Sequence, residues 1–176
     1  MKQAIIEEVA AAEVGGVWRR IGKFDATAAT LADEHYSRRK RGSPQFMPPG
    51  QTIILLSTDE TAVFGWWRPH PRSGLAAMNG RDGWTCTIFR NTGRQRSSDL
   101  ILQAELMLAS LATDCGPDGM LTYVFDKKVR SPNPGYCFKA AGWRVLGRSA
   151  DGKKTLLQKA FGDAGVARPA SAETPG

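Results

Sequence analysis

The stretch Leu121–Trp143, LTYVFDKKVRSPNPGYCFKAAGW, decides how this chain reads. Leu121 to Phe125 is apolar and rich in β-formers, the pattern of a buried strand. Asp126 follows at the strand's C-terminal end, then the cations Lys127, Lys128 and Arg130. Ser131-Pro132-Asn133-Pro134 breaks the chain direction. Asn133 can N-cap a short helix with Pro134 at its first position, and Gly142 can end it. A carboxylate and several cations therefore gather at a strand end facing a helix start. In open α/β sheets, ligands bind in the crevice outside such strand ends.

The flanking sequence extends this into an α/β fold, a mixed central sheet flanked by helices. Upstream, Gln51–Ser57 and Ala62–Trp67 read as strands joined by the turn Thr58–Thr61. Trp84–Arg90 alternates as a central strand, with Trp84, Cys86 and Ile88 on one face. It leads into a polar loop holding Arg90, Arg94 and Arg96, where Ser97 or Ser98 can N-cap the next helix. Leu100/Ile101, Ala104, Met107/Leu108 and Leu111 give that helix the clearest periodicity in the chain. A strand, a polar loop and a helix start make a natural phosphate cradle. Downstream, Arg144–Arg148 and Thr155–Lys159 form a hairpin across Asp151-Gly152.

Nearer the start, Met1–Ala12 reads as a short helix and Gly16–Ile21 as a strand. Asp25 caps a helix over Ala26–Tyr36, which puts His35-Tyr36 at a C-terminus whose dipole favours a protonated imidazole. Arg38–Gly50 is a long loop of the functional kind, with Phe46 and Met47 as apolar contacts to a substrate. One domain is expected over residues 1–161, with residues 162–176 as a disordered Ala-, Gly- and Pro-rich tail.

The formal charge is +7, with a pI of about 9.6, which favours a polyanionic partner. The cations cluster as Arg38-Arg39-Lys40-Arg41, as Arg90, Arg94 and Arg96, and as Lys127, Lys128 and Arg130. Cys86, Cys115 and Cys137 lack metal-type spacing and read as free thiols. No apolar run is long enough to span a membrane, and acidic residues stand where a signal peptide needs an apolar core. A cytoplasmic protein is expected.

The strand, polar turn, short helix and Ala141-Gly142-Trp143 exit resemble the last third of the GNAT superfamily of N-acetyltransferases. Within it the chain is most similar to the Mom proteins of phage Mu and its relatives, which modify adenine in phage DNA. The closer match rests on His35-Tyr36, on Phe89-Arg90-Asn91 through Ser97-Ser98-Asp99-Leu100-Ile101, and on Asp126 with Asn133-Pro134-Gly135-Tyr136-Cys137. The resemblance implies a GNAT-like fold, an acyl-CoA-type donor at Arg90, Arg94, Arg96, Ser97 and Ser98, and catalytic roles for Asp126, Tyr136, His35 and Tyr36. It also implies iron, with His35, Tyr36 and Asp126 as ligands. The target would be adenine N6 in double-stranded DNA of a bacterial host, with restriction endonucleases as the enemy evaded, and a homodimer is entertained as the assembly.

The chain departs from the acetyltransferase pattern in two places. The glycine-rich pyrophosphate loop is replaced by Arg94-Gln95-Arg96-Ser97-Ser98, and Phe138 stands where a proton-donating tyrosine is usual. An exocyclic adenine amine lies inside the duplex stack, so its base must flip out to react. Arg38, Arg39, Lys40 and Arg41 with Lys127 and Lys128 are the expected backbone contacts, and Trp66-Trp67 the stacking surface. Two rivals predict differently: an acetyl-CoA-dependent acetyltransferase acting on a small amine or protein, and a non-catalytic DNA-binding protein of the same fold.

Overall fold

The computed structural model describes residues 16–70 and 80–167. The helix expected over Met1–Ala12 lies outside the described residues. The chain forms β1 (Trp18–Ile21), α1 (Ala26–Asp33), β2 (Gln51–Ser57), β3 (Ala62–Arg68), β4 (Trp84–Asn91), α2 (Ser97–Leu111), β5 (Met120–Phe125), α3 (Tyr136–Ala140), β6 (Arg144–Arg148) and β7 (Lys154–Lys159). The strands make one seven-stranded sheet in the order β1-β2-β3-β4-β5-β7-β6. Every neighbouring pair is antiparallel except β4 and β5, which are parallel. The α/β class and the mixed sheet expected from the sequence are present.

Helix α2 covers one face of the sheet, and indole N–H groups fasten it there. Trp18 Nε1 donates to the Leu100 carbonyl at 2.9 Å and Trp66 Nε1 to the Ala104 carbonyl at 3.1 Å. A buried indole needs such an acceptor, so each ring supplies both apolar area and a fixed direction. Trp67 points to the other face, where it packs with Met47, Ile54 and Ile88 and donates to the Pro49 carbonyl. Both tryptophans are buried, which removes the base-stacking role expected for Trp66-Trp67. Met47 belongs to the same second core and serves packing more than substrate contact.

The alternation expected in β4 breaks at Thr87. Gly65 pairs with Ile88 but Trp66 pairs with Cys86, so Thr87 is an extra residue, a β-bulge. Trp84 and Cys86 face the α2 side, while Ile88 turns to the second core and Phe89 returns to pack on Phe64 and Phe138.

Asp25 caps α1 as expected, accepting from the Ala28 N–H at 2.9 Å. The helix ends at Asp33, not Tyr36, because the Asp33 carboxylate is claimed by the loop beyond it. Arg38 Nε donates to it at 2.7 Å and the Gly42 N–H at 3.0 Å, and the same guanidinium binds the Ser43 and Gln45 carbonyls. Arg38 thus folds its own loop, and its buried guanidinium is structural rather than a DNA contact.

The short helix α3 starts from Gly135 in the left-handed region rather than from Asn133, whose side chain instead accepts from Lys139. Gly142 ends it, as expected. The Trp143 N–H returns to the Phe138 carbonyl and the Gly142 N–H to the Lys139 carbonyl, the two bonds of a Schellman stop, with the Phe138 and Trp143 rings 5.1 Å apart.

A buried ion pair joins the two halves of the molecule. Lys159 Nζ donates to Glu105 Oε2 at 2.6 Å and to the Ala141 and Val166 carbonyls at 2.8 Å. Glu105 also accepts from Trp143 Nε1 and the Gly165 N–H. Burial pushes the Glu105 carboxyl up, and Lys159 pulls against it. Residues 162–167, expected to open a disordered tail, are therefore held by this pair, which backbone composition does not reveal. Lys159→Met leaves a buried carboxylate without its cation, so it should cost about 3–5 kcal/mol in urea unfolding. Adding Glu105→Leu to that variant should recover part of the loss, because no buried charge then remains.

Candidate active cleft

The parallel pair β4–β5 is bonded over three registers only, Trp84↔Met120, Thr85↔Leu121 and Cys86↔Thr122. β4 then runs on to Asn91 and β5 to Phe125, and the two strands separate. The gap is a cleft on both faces of the sheet. A smaller space of about 180 Å³ reaches Val129, Gly135, Cys137 and Phe138. A larger one of about 800 Å³ lies beneath the loop that follows α1. His35, Tyr36, Cys86, Thr87, Ile88 and Tyr123 line both, so the spaces meet through the split.

His35 and Tyr36 reach this junction because the chain turns at Asp33. Their rings lie 4.3 Å apart at 30°. His35 Nδ1 sits 2.7 Å from Ser37 Oγ and accepts the Ser37 N–H at 3.2 Å, which leaves the ring proton on Nε2. Burial, then the Arg90 guanidinium, lower the His35 pKa to about 4, against the Phe89 backbone. The protonated imidazole expected from the helix dipole is disfavoured instead: α1 ends before His35, and burial and then Arg90 oppose the charge. Burial raises the Tyr36 pKa, with the Phe125 backbone opposing, so the phenol keeps its proton at neutral pH. Cys86 and Cys137 have pKa values raised by burial, which makes them weak nucleophiles.

The other expected site residues lie elsewhere. Asp126 lines neither space. Its Oδ1 accepts from Thr155 at 2.8 Å and its Oδ2 from Arg148 at 2.8 Å. The Thr155 hydroxyl, then Arg148, hold its pKa below the usual range, and the carboxylate anchors the β6–β7 hairpin to the end of β5. Tyr136 is 64% exposed and lies outside both spaces, while its neighbour Cys137 points in.

In the loop before α2, Arg90 Nη1 turns back to the Glu34 carbonyl at 2.8 Å, while Arg94 and Arg96 are exposed. The N-cap is Arg96 with no side-chain bond, not Ser97 or Ser98; Ser98 is buried and Ser97 Oγ accepts from Asn91. Asn91, which the sequence offered only as part of the matching run, shapes the loop. It donates to the Gln95 carbonyl at 2.7 Å and accepts from the Gly93 N–H at 2.9 Å. An Asn at a strand end before Thr-Gly was its available signal.

Of the expected DNA contacts, Arg39, Lys40 and Lys128 line the larger space. Lys127 and Arg41 are exposed outside it, Arg41 lying 3.9 Å from Glu34. Lys154, which sequence reasoning left in a hairpin, joins the lining, and no Asp or Glu does.

His35, Tyr36 and Asp126 do not fit an iron ion in this arrangement. Ser37 occupies His35 Nδ1, and both Asp126 oxygens are engaged. Among the described residues no group of three His, Cys, Asp or Glu is placed to hold a metal. Among them, too, no helix is long and apolar enough to cross a membrane.

Comparison with protein-family models, curated proteins and solved structures finds no match to this chain. The chain is defined by its own geometry: an α/β protein whose mixed sheet splits between its parallel strands around a half-buried tyrosine.

The His35 state has a direct consequence. The unfolded ring titrates near 6.5 and the folded ring near 4. Between those values the unfolded chain binds the extra proton, so stability falls as pH drops from about 6.5 towards 4. Ring NMR shifts of the folded protein should show one histidine still neutral at pH 5.5. Arg90→Gln should move its midpoint upward.

Proposed function

We propose that this protein is a GNAT-like transferase that modifies DNA, adding a small acyl or glycine-derived group of carbamoylmethyl type to adenine N6 and so shielding the DNA from restriction endonucleases. One observation carries the reading: the split between β4 and β5 opens to both faces, with the Tyr36 phenol at the junction and only cations among the charged residues on the larger side. Two reactants can meet there without either passing the other. The larger side suits an anionic acceptor, and the smaller, apolar side suits the group being transferred.

In this reading the chemistry is mostly positioning. The amine of an extruded adenine enters from the cationic side and the thioester end of an acyl-CoA-type donor from the other; the amine nitrogen bonds to the thioester carbonyl carbon, the C–S bond breaks, and the amine proton leaves with the sulfur as free thiol. Gly93–Ser98 would take the donor's phosphates through backbone N–H groups and the exposed Arg94 and Arg96. Tyr36 donates a hydrogen bond to negative charge that develops on the transferred group, a role its raised pKa favours. His35 holds the Tyr36 ring by stacking and acts as a positioning residue, since its Nδ1 is occupied. Asp126 and Tyr136, expected to be catalytic, act in this reading at a distance or not at all.

The test is nucleoside mass spectrometry on DNA from cells expressing the protein or its Tyr36→Phe variant. A heavier deoxyadenosine should form with the unaltered protein and fall at least about a hundredfold with the variant. Unmodified adenine in both samples would end the proposal.

A further inference from the structure

The larger cleft has a charge pattern that the transfer reaction alone does not require. Phe125 and Lys154 are paired across β5 and β7, and Lys128 Nζ lies 5.0 Å from the Phe125 ring centroid. This group forms the wall made by the end of β5. The facing wall is the loop after α1, which packs over β2–β4 through Met47 and carries Arg39 and Lys40. Two pairs of cations thus flank a cleft whose lining includes the Tyr123 and Phe125 side chains and no carboxylate. Arg39, Lys40 and Lys128 are exposed, and none of the three makes an ion pair among the described residues.

A small neutral amine would leave these charges unused. A double helix is too broad to enter a cleft of about 800 Å³ beneath a loop, though one unstacked nucleotide has the right scale. We propose, building on the DNA-modifying reading, that the cleft is a single-strand site. Arg39 and Lys40 neutralise the phosphate on one side of an extruded nucleotide, and Lys128 and Lys154 the phosphate on the other. The base enters between them against Phe125 and Tyr123, which take the role that the buried Trp66 and Trp67 cannot. Aromatic faces hold any unstacked base, so the contact sets the strand state of the ligand and not its sequence.

The test is fluorescence anisotropy of the full chain with a labelled mixed-sequence oligonucleotide, single-stranded or annealed, across a salt series. The single strand should bind more tightly than the duplex. Lys128→Gln with Lys154→Gln should lower the slope of log affinity against log salt by about 0.7, the value for one phosphate contact on a single strand. Phe125→Leu should weaken single-strand binding about tenfold with the slope unchanged. Lys23→Gln, an exposed cation outside the cleft, should alter neither. A slope untouched by the double variant, or duplex bound as tightly as single strand, overturns the site. If modified deoxyadenosine still appears in cells in that case, the DNA-modifying reading stands without it. Absence of binding to either form overturns the site, and absence of the modified nucleoside as well ends the broader reading.

Discussion

Much of this architecture depends on the ammonium of Lys159. The sheet is weakest between β4 and β5, where three register pairs hold two parallel strands together. A sheet parted at one end needs a tie elsewhere. Helix α2 provides it: Trp18 and Trp66 fix it to the β1–β4 half, and Glu105 fixes it through Lys159 and Trp143 to the other half. The charges are fully enclosed, so their attraction is strong but their desolvation is costly. What makes the pair tolerable is saturation: Lys159 meets three acceptors and Glu105 three donors.

That tie lets the split exist without unravelling the fold. The strands part where side chains of different origin converge: Tyr36 from the turn after α1, Cys86 from β4, Tyr123 from β5 and Cys137 from α3. No local segment supplies the site. Its electrostatic character is divided likewise, with an apolar side beneath α3 and a cationic side beneath the Arg38-ordered loop.

The sequence made the local units legible and concealed their long-range terms. Strong β patterns located β2, β3, β5 and the β6–β7 hairpin, and 3.6-residue periodicity located α2. Asp25 and Gly142 punctuated helices as their chemistry demands. The end of α1 was hidden, because Arg38 decides it from outside the helix. Trp66-Trp67 misled because β3 is covered on both faces, so successive side chains are both buried. Asp126 drew attention as a carboxylate among cations, but a partner from the distant hairpin, Arg148, had already engaged it. Of the site, His35 and Tyr36 were found through resemblance; Asn91 and Cys137 stood in the matching runs without an assigned role, and Lys154 required the fold to bring it into place.

The bulge in β4 sets which side chains beyond it face the site. Thr87 has no partner on β3, and its side chain lines the cleft with the hydroxyl 3.4 Å from Met47 Sδ. Without the bulge, Thr87 and not Ile88 would pair with Gly65, and everything from Ile88 to Asn91 would exchange faces. Phe89 would leave the aromatic core, and Arg90 would leave the Glu34 carbonyl beside Tyr36. The frame of the site thus hangs on one irregularity in the ladder, which lets Cys86 and Phe89 share a face although they stand three positions apart.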